Sequence, residues 1–190
     1  MIRAFLGLEL PQHIRSQLVL RQYLLPLQRR IPPENFHITL VFLGDSTLPQ
    51  LEDLHLALDR LVVPALQLQI TGLGLFGKDK PHNLHAVVAP DDGLVRLQAK
   101  LVTLARNCGF VLKPRRFHPH VTLSYLRAGS FDRGELEAAV VRDAQFRTEP
   151  FAVQEIALFR SVLRPDGAEY DVLERYGPAQ GAVSAKGQNL

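Results

Sequence analysis

One cysteine, Cys108, is all that the 190-residue chain holds, so no intramolecular disulfide can form and a reducing, intracellular setting is expected. Cys108 stands in LARNCGF, at the end of a predicted helix, and reads as a small buried residue. No block of like charges marks a nucleic-acid-binding tail. No uninterrupted apolar run reaches the ~18 residues of a membrane span. The opening MIRAFLGLELPQ lacks a long apolar stretch followed by a small-residue cleavage site, so no secretory leader is expected. These absences lead to the expectation of a cytoplasmic protein. No Pro/Gly-rich linker divides the chain, and one domain of two lobes is expected over residues 1–177. The tail at 178–190, GPAQGAVSAKGQNL from Gly177 onward, is small and polar and is expected to be flexible.

What is present suits a folded domain. Hydrophobic residues make up 46% and charged residues 22% of the chain, enough apolar surface for a sizeable core. The formal net charge is +3, compatible with a polyanionic ligand. The pattern predicts a strand at 2–10, then a helix after Pro11 with Ile14, Leu18 and Leu25 inward. RRIPPEN breaks the chain before a strand at 36–43. A helix follows Thr47 and Pro49, with Leu51, Leu54, Leu58 and Leu61 on one face, and Pro64 ends it. LQLQITGL and LHAVVA read as strands. A third helix spans about Gly93 to Asn107, with Leu94, Leu97, Leu101 and Leu104 inward and Gly109 as its stop. A strand at 119–126, a short helix in DRGELEAAVVRD and two final strands joined by a Pro-Asp-Gly turn complete the chain. The class is α+β or α/β, and the strand order stays open.

Residues 72–77, GLGLFG, match a dinucleotide-binding glycine motif by letter. That motif needs a helix to start at its glycines, since the helix N-terminus holds the pyrophosphate. Here KDKPHN and another strand follow, so the glycines read as a loop between strands. No G-x-S-x-G nucleophile elbow occurs, and the pair His118 and His120 offers too few ligands for a metal site. His13 and His55 read as surface residues of helices.

Two strands repeat one arrangement: NFHITLVFLG at 35–44 and FHPHVTLSYL at 117–126, each with His-x-Thr-Leu. Alternate strand residues share a face, so His37 points with Thr39, and His120 with Thr122. Phe36, Ile38, Leu40 and Phe42 are expected on the opposite, core face, as are Pro119, Val121 and Leu123. Two imidazoles and two hydroxyls facing one cleft suit phosphodiester chemistry. A neutral imidazole takes a proton from an attacking oxygen and a charged one gives a proton to a leaving oxygen. Hydroxyls hydrogen-bond the non-bridging oxygens. Neither a carboxylate nucleophile nor a metal is required.

These paired motifs resemble the two-histidine phosphoesterases, and among them the RNA 2′,3′-cyclic phosphodiesterases, also called 2′-5′ RNA ligases. RAFLGLELP resembles that family's opening strand, and LFRSVLRPDGAEYDVLERY its closing hairpin. The resemblance implies a bilobal α+β fold, two antiparallel sheets with helices outside, flanking a central cleft. It implies hydrolysis of a terminal 2′,3′-cyclic phosphate to a 2′-phosphate without cofactor, and reversible 2′-5′ ligation of suitable RNA ends. His37 would then be the proton donor, His120 the proton acceptor, and Thr39 and Thr122 the phosphate holders. The near-symmetry of the motifs leaves the acid and base interchangeable.

The family often reads H-x-T-L-x-R in the second motif. This chain has Tyr125 there, and Arg127 is expected to reach the phosphate only where the strand bulges. Tyr125, Arg127 and Arg116, the last in a basic patch with Lys113 and Arg115, are candidate RNA contacts. His82 and His85 fall where relatives carry an arginine and an aromatic residue. A monomer acting on RNA ends is the leading expectation. The alternatives are an RNA-binding module whose cleft is not catalytic, or a phosphodiesterase of another small cyclic or 2′-5′-linked nucleotide. An intact acid/base pair separates an enzyme from a binding module.

Overall fold

A computed structural model of the protein describes residues 1–165 and 167–177. The tail at 178–190 and Asp166 of the Pro-Asp-Gly turn lie outside the described residues. In chain order the elements are β1 (Ile2–Glu9), α1 (Gln12–Leu24), β2 (His37–Ser46), α2 (Leu48–Asp59), β3 (Leu66–Leu68), β4 (Ile70–Phe76), β5 (Asn83–Val88), α3 (Asp92–Asn107), β6 (His120–Tyr125), α4 (Arg133–Arg142), β7 (Phe151–Val153), β8 (Ile156–Arg164) and β9 (Gly167–Tyr176). The class is α+β. Seven strands form one antiparallel sheet in the order β4-β5-β6-β2-β1-β8-β9, and β3 pairs with β7 in a second antiparallel sheet.

Helices α2, α3 and α4 start where short polar side chains satisfy their first N–H groups, whereas α1 opens at Pro11 without a side-chain cap. Thr47 and Gln50 form a reciprocal capping box at α2. Asp91 accepts from the Leu94 N–H at 2.6 Å, and Asp132 from the Glu135 N–H at 2.8 Å. Gly109, at φ 79°, stops the chain after α3 in the left-handed conformation that glycine tolerates. The inward faces carry Ile14 and Leu18 from α1, Leu51, Leu54 and Leu58 from α2, and Leu94, Leu97 and Leu101 from α3. All of them join the sheet in one continuous apolar core. Each such leucine contributes about 1.5–3 kcal/mol by leaving water.

Three sequence expectations change. Leu104 is only partly buried and Ala105 takes the inward place in α3, where the helix closes on its neighbours. Leu25 is buried in the core as expected but falls just past α1, and the inward place in the helix's last turn belongs to Gln22, which is 3% exposed. Its Nε2 donates to the carbonyls of Ile31 (2.9 Å) and Leu123 (2.8 Å). A buried amide is tolerated there because it pairs with carbonyls of the segment leading to β2 and of β6. The third change concerns Gly72 and Gly74, which lie inside β4 rather than in a loop. Gly74 is opposite His85, and a Cβ there would stand 2.8 Å from His85 Nε2. Close approach of a side chain is a usual reason for glycine in a strand.

The halves of the large sheet meet at one ladder pair, Ile38 with Val121. Both are the central residues of His-x-Thr. Antiparallel pairing centred there sets position 37 opposite 122, and 39 opposite 120.

Candidate active site

Both signature strands bulge at the same motif position. Thr39 pairs with Gly7 and Val41 with Leu6, leaving Leu40 as an extra residue of β2. Thr122 pairs with His85 and Ser124 with Leu84, leaving Leu123 as an extra residue of β6. A bulge reverses the alternation beyond it. Val41 therefore enters the core, and Phe42, expected there, is 47% exposed beneath Arg3, whose guanidinium lies 4.9 Å from the ring centroid. Ser124 is buried likewise, and Tyr125 emerges on the face of His120 and Thr122, 56% exposed. Each strand thus presents a histidine, a threonine and an aromatic residue together.

The two imidazoles are held alike. His37 Nδ1 lies 2.7 Å from the Asn35 carbonyl, and His120 Nδ1 lies 2.7 Å from the His118 carbonyl. A carbonyl only accepts, so each Nδ1 carries the proton and each neutral ring keeps Nε2 as its basic atom. His37 Nε2 stands 3.0 Å from Thr39 Oγ1. Asn35 has a second task, since its side-chain amide donates to the Ala168 carbonyl of β9 at 2.7 Å. The residue that orients His37 also ties down the closing hairpin.

Aromatic rings enclose His37: Phe5 at 4.7 Å, Tyr170 edge-on at 5.0 Å and Phe159 at 5.6 Å between centroids. Burial lowers its imidazole from 6.5 to about 4, against the opposing pull of the Asn35 carbonyl, and the charge of His120 adds to the fall. His120 packs against Phe76 at 4.9 Å and His85 at 5.1 Å. Its pKa is also lowered, chiefly by burial, with the His118 carbonyl opposing and the His118 charge assisting.

His85 falls where relatives carry an arginine and an aromatic residue. It is 6% exposed, stacked on Phe76 at 4.0 Å. Burial and then the charges of His120 and His118 lower it to about 4. Its Nδ1 lies 3.2 Å from Asn83 Oδ1, and the Asn83 amide donates to Thr122 Oγ1 at 3.1 Å. A threonine oxygen that accepts in this way keeps its own hydrogen to donate elsewhere. Asn83 carried no sequence signal beyond its place before an apolar strand, because its partner lies 39 residues away.

His37, Thr39, His120, Thr122, Tyr125 and Arg127 all line one cavity of about 540 Å³. Among the described residues five arginines line it and no carboxylate does. Arg127 is among them, from the turn after the bulged β6, as are Arg3, Arg29, Arg115 and Arg164. Arg3, Arg29 and Arg164 were invisible to motif reading, for β1, the loop before β2 and the β8–β9 hairpin converge only in the fold. Arg116 and His82 are both exposed and do not line this cavity. Among the described residues no three His, Cys, Asp or Glu side chains are grouped to hold a metal ion, and no helix is long and apolar enough to cross a membrane.

Comparison with known proteins agrees with this geometry. The chain is 31% identical over 188 residues to an RNA 2′,3′-cyclic phosphodiesterase of Thermus thermophilus, covering 92% of this chain and 89% of the relative. It is 29% identical over 181 residues to the Escherichia coli protein of that name, covering 94% and 97%. A solved structure from Thermus thermophilus superposes with a TM-score of 0.75 at 26% identity, covering 93% of this chain and 97% of that one. E. coli LigT complexed with NADP+ does so at 0.70 and 25% identity, covering 93% and 96%. Residues 8–164, which carry both His-x-Thr strands, match the 2′-5′ RNA ligase superfamily. With the match spanning most of the chain, this protein belongs to the 2′-5′ RNA ligase superfamily.

Proposed function

We propose that this protein is an RNA 2′,3′-cyclic phosphodiesterase, with His37 and His120 as its acid/base pair. The observation that carries the reading is the pair of imidazoles, each tied through Nδ1 to a carbonyl, in one cavity lined, among the described residues, by five arginines and no carboxylate. The shared name of the Thermus and E. coli relatives supports the substrate class. The nucleotide in the LigT complex supports a nucleotide-sized ligand.

In this mechanism His120 Nε2 takes a proton from water as the water oxygen attacks phosphorus. His37 Nε2 gives a proton to the departing 3′ oxygen, and the product carries a 2′-phosphate. Thr39 and Thr122 hydroxyls donate to the non-bridging oxygens, whose charge grows toward the transition state. Arg3, Arg115 and the other arginines around the threonines offset that charge, so the reaction proceeds without a metal. With the 5′-hydroxyl of a second RNA in place of water, the same proton transfers break the P–O3′ bond, protonate the 3′ oxygen and form a 2′-5′ linkage; the reverse of that step cleaves the linkage. The test is direct: an RNA with a 2′,3′-cyclic end, incubated with the protein and EDTA, is expected to yield a 2′-phosphate end. A 3′-phosphate product would reverse which oxygen is protonated. RNA binding without product would favour a non-catalytic cleft.

The lowered histidines shape the pH dependence. His37 is neutral in the free protein above about pH 4, yet an acid must be protonated. The entering phosphate anion favours imidazolium and raises that pKa in the complex. The profile of kcat/KM, which reports the free protein, is therefore expected to peak below neutrality. The falling limb of kcat, which reports the complex, is expected at higher pH. Profiles of both constants at fixed ionic strength check this. Coincident limbs, or a kcat/KM flat from pH 5 to 8, would remove the acid/base assignment.

A further inference from the structure

The cavity at the two histidines continues into a larger one of about 820 Å³. The two share Arg29, Tyr125, Arg127, Arg164 and Tyr170, while neither catalytic histidine nor either threonine lines the second. The reacting groups thus occupy one chamber, and the aromatic and cationic residues at the junction belong to both. Tyr125 is 56% exposed there, and the Arg127 side chain has no hydrogen-bond or ion-pair partner among the described residues.

The charges differ between the chambers. Among the described residues the first has five arginines and no carboxylate. The second has, among the described residues, four arginines against three carboxylates, Glu34, Glu169 and Asp171. Two of those are already paired, Glu169 with Arg164 and Asp171 with Arg160. Strong positive charge at the reacting phosphate, followed by near-balance, suits a ligand whose next part is mostly uncharged. A nucleoside is such a part. It joins the terminal nucleotide through one phosphodiester, which a cation at the junction would meet, and its base offers a π-face to an exposed tyrosine.

We infer that the second cavity is a subsite for the nucleoside preceding the cyclic end, with Arg127 on the bridging phosphate and Tyr125 beneath the base. This rests on the cyclic phosphodiesterase reading and deepens it: the second cavity makes the penultimate nucleoside part of what the site recognises.

The test compares kcat/KM for a 2′,3′-cyclic mononucleotide, a dinucleotide and a trinucleotide with the same cyclic end. A rise of ~10-fold or more is expected from mono- to dinucleotide, with little further gain for the trinucleotide. Tyr125→Ala should remove most of that rise, lowering the dinucleotide constant several-fold more than the mononucleotide constant. Glu34 lines only the second cavity, is exposed and has no partner among the described residues. Glu34→Gln should raise the dinucleotide constant ~2-fold or more and leave the mononucleotide constant unchanged, an effect that added salt diminishes. Equal constants for mono- and dinucleotide, or a Tyr125→Ala loss shared equally by both, would overturn the subsite. A protein that turned over none of these substrates would instead overturn the functional reading. Affinities for 2′-phosphorylated mono- and dinucleotides, compared by calorimetry, would then still decide the subsite: equal affinities reject it, and tighter dinucleotide binding retains it.

Discussion

His120→Ala is expected to lower kcat by about 10²–10⁴-fold while the protein stays folded. His37→Ala should do the same, and the double variant should lose little more, because acid and base act in one transition state. His120 lies on the face of β6 that opens to the cavity, so its loss leaves the core residues Val121 and Leu123 in place. His37 is packed among Phe5, Phe159 and Tyr170, so His37→Gln, which retains volume, is the cleaner variant there. Turnover and thermal unfolding measured on the same preparations separate chemistry from folding. An unfolded His120→Ala protein would make that histidine structural.

The same substitutions carry an opposite expectation for acid stability. His37 titrates at about 4 when folded, against 6.5 when unfolded. Between those values the unfolded chain binds a proton that the folded protein refuses. The stability is thus intact above about pH 6.5 and falls as the pH drops toward 4, by about 1.4 kcal/mol per pH unit. His85 acts in the same direction. His37→Gln removes one of these liabilities, and its denaturant midpoint should decline less steeply than wild type from pH 6.5 to 4. A variant that loses turnover yet gains acid resistance would match a histidine kept in an unfavourable environment for function.

The second large effect is expected from the hydroxyls. Thr122→Val should lower kcat by about 10²–10³-fold, the usual loss when one preorganised donor to a developing oxyanion is removed. Valine has nearly the same shape, so the change isolates the hydrogen bond. The Asn83 amide donates to Thr122 Oγ1 and so directs the hydroxyl hydrogen away from itself. Asn83→Ala should then reproduce part of the kcat loss with a smaller change in KM. Thr39→Val should act like Thr122→Val, and it also frees His37 Nε2 from its 3.0 Å contact. The pH limb assigned to His37 should therefore move in Thr39→Val and stay in place in Thr122→Val. Equal, unshifted profiles in both would leave Thr39 as a phosphate donor alone.

The reach of the sequence ended where local chemistry gave way to packing. Two His-x-Thr segments were legible because alternation along a strand is a property of the backbone itself. Helix starts were legible because Thr47, Asp91 and Asp132 act on N–H groups only a few residues away. Phe42 was misplaced because nothing within β2 announces a bulge, which is settled by the register with β1. The place of His85 was not legible because its burial depends on Gly74 in the neighbouring strand. The arginines of the cavity come from five separate stretches of the chain, and only the fold gathers their charge around one phosphate-sized region. By itself the sequence determined the run of mixed strands and helices, the capped helices and the two imidazole–hydroxyl pairs, since each follows from neighbours in the chain. The tertiary structure alone decided the single Ile38–Val121 join, the matched bulges, the depressed histidines and the cationic cavity, since register, desolvation and field arise between residues far apart in sequence.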